Sequence, residues 1–204
     1  MESTEQDVKR RLLLAAKKLF ARQGFDGTTI RQICEEAGAN VALVSYYFGG
    51  KDKIFEAVIE TFFPHDSIRE RFAESMEPVN GVRAVIREVI LYRSRDPELV
   101  QLIQNESSHD SPRTEIIRKH LIPIWTRMRD LLEQGKREGV FRFRSLDNTF
   151  LYIWGGLLFH REFNLFDPIL ADAPPTAEQL TQDLTDFVLG ALHCGAAAGN
   201  ETKV

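Results

Sequence analysis

The run Thr28-Thr29-Ile30-Arg31-Gln32-Ile33-Cys34-Glu35-Glu36-Ala37-Gly38-Ala39-Asn40-Val41-Ala42-Leu43-Val44-Ser45-Tyr46-Tyr47-Phe48-Gly49-Gly50-Lys51 decides the fold. Thr29 followed three residues later by Gln32 is a capping box, in which two side chains satisfy open N–H groups at a helix start. Ile30, Ile33, Cys34 and Ala37 then form one apolar stripe at helical spacing, and Gly38 stops it, so the spacing predicts a short helix from about Ile30 to Ala37. Asn40 is a good N-cap for another short segment, Val41 to Tyr47, which Gly49-Gly50 end before Lys51 opens the next helix. Upstream, Leu12, Ala16, Leu19 and Phe20 fall at i, i+4, i+7 and i+8, and Gly24 closes a helix of roughly Gln6 to Gln23. Three helices within about 45 residues, the last two joined by a tight turn at Gly38-Ala39-Asn40, make a helix-turn-helix.

Outward from that head the periodicity stays helical. Lys51 to Phe63 reads as a helix that Pro64 should end, because proline removes a hydrogen bond and clashes with the preceding turn; this places a hinge between head and body. Further helices are predicted at about Val79 to Ser94, Pro97 to Ser107, Thr114 to Glu138, Leu146 to Phe166 and Ala177 to Cys194, with Pro123 bending the longest. No stretch alternates apolar and polar residues as a strand does, so the class is all-α with about nine helices. The expected organisation is a head over residues 1–50 with a connector helix at 51–63, a helical body at 64–195 and a mobile tail at 196–204.

Composition fits a globular chain. Of 204 residues 43% are hydrophobic and 27% charged, with 13 Gly and 8 Pro, which excludes disordered and collagen-like classes. The longest apolar run, Phe150 to Phe159, is interrupted by Gly155 and Gly156 and falls short of the roughly 18 residues of a membrane span. Met1 to Asp7 is polar and acidic where a secretory signal is basic and then apolar, and the cysteines Cys34 and Cys194 lie far apart, as reduced thiols do; both features point to the cytoplasm. The net charge of −4 conceals an asymmetry. Residues 1–55 hold nine Lys/Arg against seven Asp/Glu, leaving 17 of the 26 basic and 23 of the 30 acidic residues for the remainder. A mildly basic head on an acidic body suits a chain whose one end meets a polyanion.

The opening stretch resembles the N-terminal domain of the TetR family of one-component transcriptional repressors, through Thr28, Thr29, Ala37, Gly38, Tyr47, Phe48 and Lys51, over about residues 8–60. The remainder resembles the family in length, helicity and helix count. Independently of that likeness, the second helix of a helix-turn-helix enters the major groove and meets base edges with its exposed side chains. Val44 and Phe48, at i and i+4, should pack inward with Ala39. Val41, Ala42, Ser45 and Tyr46 then point outward, with Leu43 at the boundary. An apolar outer face suits contact with thymine methyls, and the Ser45 hydroxyl suits hydrogen bonding to base edges. Thr29, Tyr46, Tyr47 and Lys51 offer donors to phosphates, and Arg31 is the residue whose family counterpart reaches a base or phosphate. Ser45 stands where many members have tyrosine and Leu43 where many have a small polar residue, so no relative's operator sequence transfers to this chain, and DNA shape should share in specificity.

The resemblance implies a body that binds a small-molecule effector and pairs with a second copy. For the pocket, Tyr92, Arg95, Ile103, Trp125, Met128, Phe159 and Phe163 are the candidate residues, with Asn105, Glu106, His109 and His120 as further polar groups. For the homodimer interface, the last two long helices offer Trp154, Leu157, Leu158, Leu184, Phe187, Val188 and Ala191, on faces wider than one stripe. The implied partners are a double-stranded DNA operator of pseudo-palindromic sequence, a small-molecule effector and the chain itself, with no membrane. The competing reading is a helical interaction module or small enzyme whose helix-turn-helix is architectural. Against catalysis, Glu106-Ser107-Ser108-His109 is a single Glu-x-x-His where a di-iron bundle needs two. No His-Glu-x-x-His, Cys-x-x-Cys, P-loop or Gly-x-Ser-x-Gly occurs, and His65, His109, His120, His160 and His193 are scattered. No catalytic residue, metal site or cofactor is therefore expected.

Overall fold

The first helix, α1 (Glu2–Gln23), starts four residues earlier than its apolar stripe suggested, since nothing between Glu2 and Gln6 breaks a helix. The computed structural model describes residues 2–64, 76–108, 111–158 and 166–192. Eight more α-helices follow in that portion: α2 (Ile30–Ala37), α3 (Val41–Tyr47), α4 (Lys51–Phe62), α5 (Pro78–Arg95), α6 (Pro97–Ser107), α7 (Pro112–Arg137), α8 (Leu146–Leu158) and α9 (Ala177–Ala191), with one 3₁₀ turn at Asp167–Ile169. No strand occurs among the described residues, in agreement with the all-α reading. Of the C-terminal parts expected for the last two helices, residues 159–165 and His193 onward lie outside them, as do His65, His109 and Cys194, while Phe166, the expected end of the first, stands in a turn.

The contacts gather into two compact units that do not follow chain order. The first takes the head together with α6 and the front of α7 as far as Pro123; the second takes α5 and everything from Ile124 onward.

In the first unit α1 is the common scaffold, packing against α2, α4 and α6. Leu12, Ala16 and Phe20 are buried on its inner face, facing Ile33 and Cys34 of α2 and Ile54, Phe55, Val58 and Ile59 of α4. Phe20, Phe25 and Phe55 form an aromatic cluster with ring centroids 5.4 to 5.7 Å apart. Burial pushes the Cys34 thiol above its ordinary pKa, with Glu35 adding to the effect. Leu99, Val100 and Leu102 seal α6 into this core. Two polar ties join α1 to α6 and its N-cap: Lys17 Nζ lies 2.8 Å from both carboxylate oxygens of Asp96, and Asn105 Nδ2 donates to the Ala21 carbonyl at 2.9 Å. As expected, α4 stops at Phe62 and Phe63 turns extended before Pro64.

In the second unit Val82, Val85, Ile86 and Ile90 of α5 are buried together with Ile153, Trp154 and Leu157 of α8 and Val188 and Leu189 of α9, the helices it packs against, and Met128, Leu131 and Leu132 of α7 are buried in the same unit. Gly81 lets α5 lie against Leu131, and Gly135 makes room for the buried ring of Phe141. The Arg142 N–H donates to the Leu192 carbonyl at 3.0 Å and ties the segment after α7 to the end of α9. Among the described residues no helix is long and apolar enough to cross a membrane, and no cluster of His, Cys, Asp and Glu is placed to hold a metal ion.

Candidate nucleic-acid interface

The interface begins with two helix caps. Thr29, extended at φ −108° and ψ 153°, accepts the Gln32 N–H on its hydroxyl at 3.2 Å, and Gln32 Oε1 accepts the Thr29 N–H at 2.8 Å, which completes the capping box. At the other end of α2, Gly38 adopts φ 60°, a left-handed conformation that costs glycine little. Its neighbour Ala39 returns its N–H to the Cys34 carbonyl at 2.9 Å. Arg11 Nη1 donates to the Ala37 carbonyl at 3.1 Å and so caps α2 from α1, a role no local pattern announces because the partners are 26 residues apart. Asn40 then caps α3 by accepting the Ala42 N–H at 2.8 Å.

On α3 the division into faces follows the spacing. Val44 is fully buried, Leu43 is half-buried, and Ala42 and Ser45 are exposed. Val41 is 48% and Tyr46 76% exposed, unusual for large apolar and aromatic side chains on a short helix. Phe48, expected inside with Val44, is only half-buried: it falls just past the last turn of α3, where Tyr47 and Lys9 flank its ring. Tyr47 is half-buried against Tyr46, with ring centroids 5.0 Å apart. Desolvation, and then the neighbouring Glu5 and Tyr46, raise its pKa above that of an ordinary tyrosine, so it remains a hydroxyl donor at neutral pH. Thr29 and Arg31 are exposed on α2.

Lys51 is placed differently from a solvated surface lysine. Its Nζ donates to the carbonyls of Phe25 at 2.9 Å and Thr28 at 2.8 Å, and lies 4.1 Å from the centroid of the Phe25 ring. Two of three ammonium donors thus hold the loop between α1 and α2. The same loop is fixed from inside by fully buried Thr28, whose hydroxyl donates to the Gly24 carbonyl at 2.8 Å. Sequence reading gave Thr28 no anchoring role and overlooked Arg11 and Arg113, whose guanidinium carbon lies 3.8 Å from the Phe25 ring centroid.

The residues assigned to a pocket are divided between the two units. Tyr92, Arg95, Trp125 and Met128 belong to the second unit, with Arg95 exposed and Met128 fully buried, whereas Ile103 belongs to the first and Phe159 lies outside the described residues. Of the other polar groups named for it, Asn105 bonds Ala21, Glu106 is paired with Arg113 at 2.9 Å, and His120 lies against the Phe63 ring. The residues assigned to a dimer interface divide as well. Trp154, Leu157 and Val188 are buried within a single chain, in the core of the second unit. Leu158 and Leu184 are half-buried, Ala191 is exposed and Phe187 is 73% exposed. On α8, Leu151 is 60% and Tyr152 76% exposed.

Residues 12–58 match the profile described as bacterial regulatory proteins of the tetR family, and residues 78–189 match that of the tetracyclin repressor-like C-terminal domain. The transcriptional repressor NicS of Pseudomonas putida is 29% identical over 136 residues, which are 64% of each chain. The repressor KstR2 of Mycolicibacterium smegmatis is 24% identical over 209 residues, 94% of each. The crystal structure of HlyIIR, a hemolysin II transcriptional regulator, superposes with a TM-score of 0.74 at 28% identity over 92% of this chain and 98% of that one. The chain spans less than two-thirds of the length of several curated relatives it matches, NicS among them.

Proposed function

From the premise that the chain belongs to the TetR family of bacterial regulatory proteins, we propose that it is a homodimeric transcriptional repressor whose α3 reads a pseudo-palindromic operator and whose second unit answers a small-molecule effector. The observation that carries this reading is the two-sidedness of α3: Val44 is fully buried while Val41, Ala42, Ser45 and Tyr46 stand exposed on the other side. A seven-residue helix with an apolar exposed face gains nothing from water, whereas thymine methyls and base edges supply it with partners. The hydroxyls of Thr29, Tyr46 and Tyr47, the guanidinium of Arg31 and the remaining Lys51 donor contact backbone phosphates and set the register.

Two copies are needed, because operator half-sites lie about 34 to 36 Å apart, one turn of B-DNA. Exposed Leu151, Tyr152 and Phe187 support the second unit as the place where the copies meet. An effector that prefers the wrongly spaced conformation by about 1 to 3 kcal/mol lowers operator affinity roughly 5- to 150-fold. The named relatives are regulators, which favours this reading over catalysis, and a protein that acts on the operator works in the cytoplasm. The test is a gel shift with DNA from upstream of the chain's own gene at stated salt. A saturable shift, weakened as salt rises, supports the proposal; retardation no stronger than that of a scrambled duplex of equal length overturns it.

A further inference from the structure

We propose that Arg113 is a positioning residue for DNA contact, acting on Lys51 through the ring of Phe25. The inference rests on the reading above, in which Lys51 meets a backbone phosphate.

Phe25 sits in the loop between α1 and α2, 8% exposed, with both cations against its ring: Lys51 Nζ at 4.1 Å and the Arg113 guanidinium carbon at 3.8 Å from the centroid. Two like charges so close together repel, so something must hold them. Lys51 is held by the carbonyls of Phe25 and Thr28. Arg113 is held by Glu106, a carboxylate whose side chain is only 7% exposed, through Nε at 2.9 Å, with Asp52 3.7 Å from Nη1. Ser111 donates to the same Glu106 oxygen and accepts the Arg113 N–H at 3.2 Å, so the carboxylate is itself fixed.

The consequence is a chain of placement. Glu106 sets the guanidinium, the guanidinium packs on the Phe25 ring, and the Phe25 and Thr28 carbonyls set where the Lys51 ammonium lies and where its third N–H points. With its side chain 15% exposed and its Nε bonded within the protein, Arg113 acts through Lys51 and not by touching the phosphate. A planar guanidinium is required: lysine at this position keeps the charge but lacks the flat face and the Nε–H.

The experiment uses the full chain and a duplex that the wild-type protein enriches from a random-sequence pool. Arg113→Met alone leaves Glu106 buried without its cation, so the principal variant is Glu106→Gln/Arg113→Met, with folding checked by circular dichroism and thermal melting. It is compared with Lys51→Met, with the triple variant and with Arg113→Lys. Lys51→Met and the paired variant are each expected to weaken binding about tenfold, a coupling within the range for residues in contact. The triple variant should be no more than about twofold weaker than either, because one phosphate contact is lost only once. In both, the slope of log affinity against log salt should shrink by about 0.9, the signature of that contact. Arg113→Lys, folded, should bind as weakly as the paired variant. Roughly hundredfold loss in the triple variant, as independent effects would multiply, overturns the proposal. So does wild-type affinity in the folded paired variant or, should that variant not fold, in Arg113→Lys. Failure of the wild type to enrich any duplex overturns the DNA-binding reading itself, a result distinct from every other.

Discussion

Asp96→Ala should cost the first unit far more than Lys17→Met, although the two residues form one ion pair. Lys17 lies on the inner side of α1 with its side chain 9% exposed, its Nζ 2.8 Å from both Asp96 oxygens, and the Phe62 ring 4.7 Å away. Asp96 is 19% exposed at its side chain and has a second task, accepting the Leu99 N–H at 3.1 Å to cap α6. Removing Asp96 therefore deletes a cap, worth about 1 kcal/mol. It also leaves an ammonium buried without its main counter-ion, a loss of about 3 to 5 kcal/mol in comparable sites. Glu98, 3.7 Å from Nζ, remains to compensate in part, which places the sum near the lower end, about 4 kcal/mol. Lys17→Met replaces the lysine stem with a side chain of similar length and leaves Asp96 partly wetted and still capping, so about 1 to 2 kcal/mol is expected.

The double variant separates this account from simple addition. With Lys17→Met and Asp96→Ala together no buried charge is left unpaired, so the protein should be more stable than Asp96→Ala alone, by about 1 to 2 kcal/mol. The measurement is urea unfolding followed by far-UV circular dichroism at one fixed protein concentration, since association contributes to apparent stability. In thermal melts Asp96→Ala should lower the midpoint by roughly 8 to 16 °C for a chain of this size. A double variant less stable than Asp96→Ala, or a Lys17→Met loss as large as that of Asp96→Ala, would refute the reasoning.

Gly135→Ala should destabilise the second unit by about 1 to 3 kcal/mol, because a Cβ there would fall inside the buried ring of Phe141; a melting curve unchanged from wild type contradicts the packing. Thr29→Ala removes the capping box of α2 and should cost about 1 kcal/mol, read from urea midpoints. Glu36, hydrogen-bonded to Lys18 and attracted by its charge, should titrate below an ordinary glutamate. Its pairing stabilises the fold above the ordinary glutamate range, and that contribution is lost as the pH falls through the depressed pKa. Carboxyl NMR should show Glu36 moving up toward the ordinary value in Lys18→Met. Ser45→Ala and Leu43→Ala should change which base pairs the protein selects from a random pool while leaving its melting temperature within a few degrees of wild type; identical selected sequences would remove those side chains from the readout.

What could be read from the sequence was what local chemistry controls. Thr29 with Gln32, Asn40 and Gly38 announce helix ends because each cap closes within a few residues, and the structure has those ends where expected. The alternation of Val44 against Val41, Ala42 and Ser45 was legible because a helix face depends only on spacing. Periodicity says that a face is apolar and nothing about what covers it. Trp154, Leu157 and Val188 therefore looked available to a second copy when their own unit had already buried them, and exposed Tyr152 went unnoticed. Long-range pairs carried no local sign. Lys17 meets Asp96 across 79 residues, and Lys51 meets the Phe25 carbonyl across 26, so a lysine that looks solvated in one dimension is a clasp in three.

The placement of α3 follows from these long-range ties more than from α3 itself. Seven residues are too few to hold a helix in water, and Val44 is its one buried side chain. Its orientation is set instead at its borders: Asn40 at the start, Arg11 fixing the Ala37 carbonyl before the turn, and the Lys51 clasp on the loop that precedes α2. On the proposed reading, stability and base selection fall to different residues. Substitutions on the exposed side of α3 can vary without unfolding anything, because that side contributes almost nothing to the core. Substitutions at Arg11 or Thr28 should tilt the whole helix and weaken binding to every duplex alike. A regulator built this way can acquire a new operator by changing a few exposed side chains while the residues that aim them stay as they are.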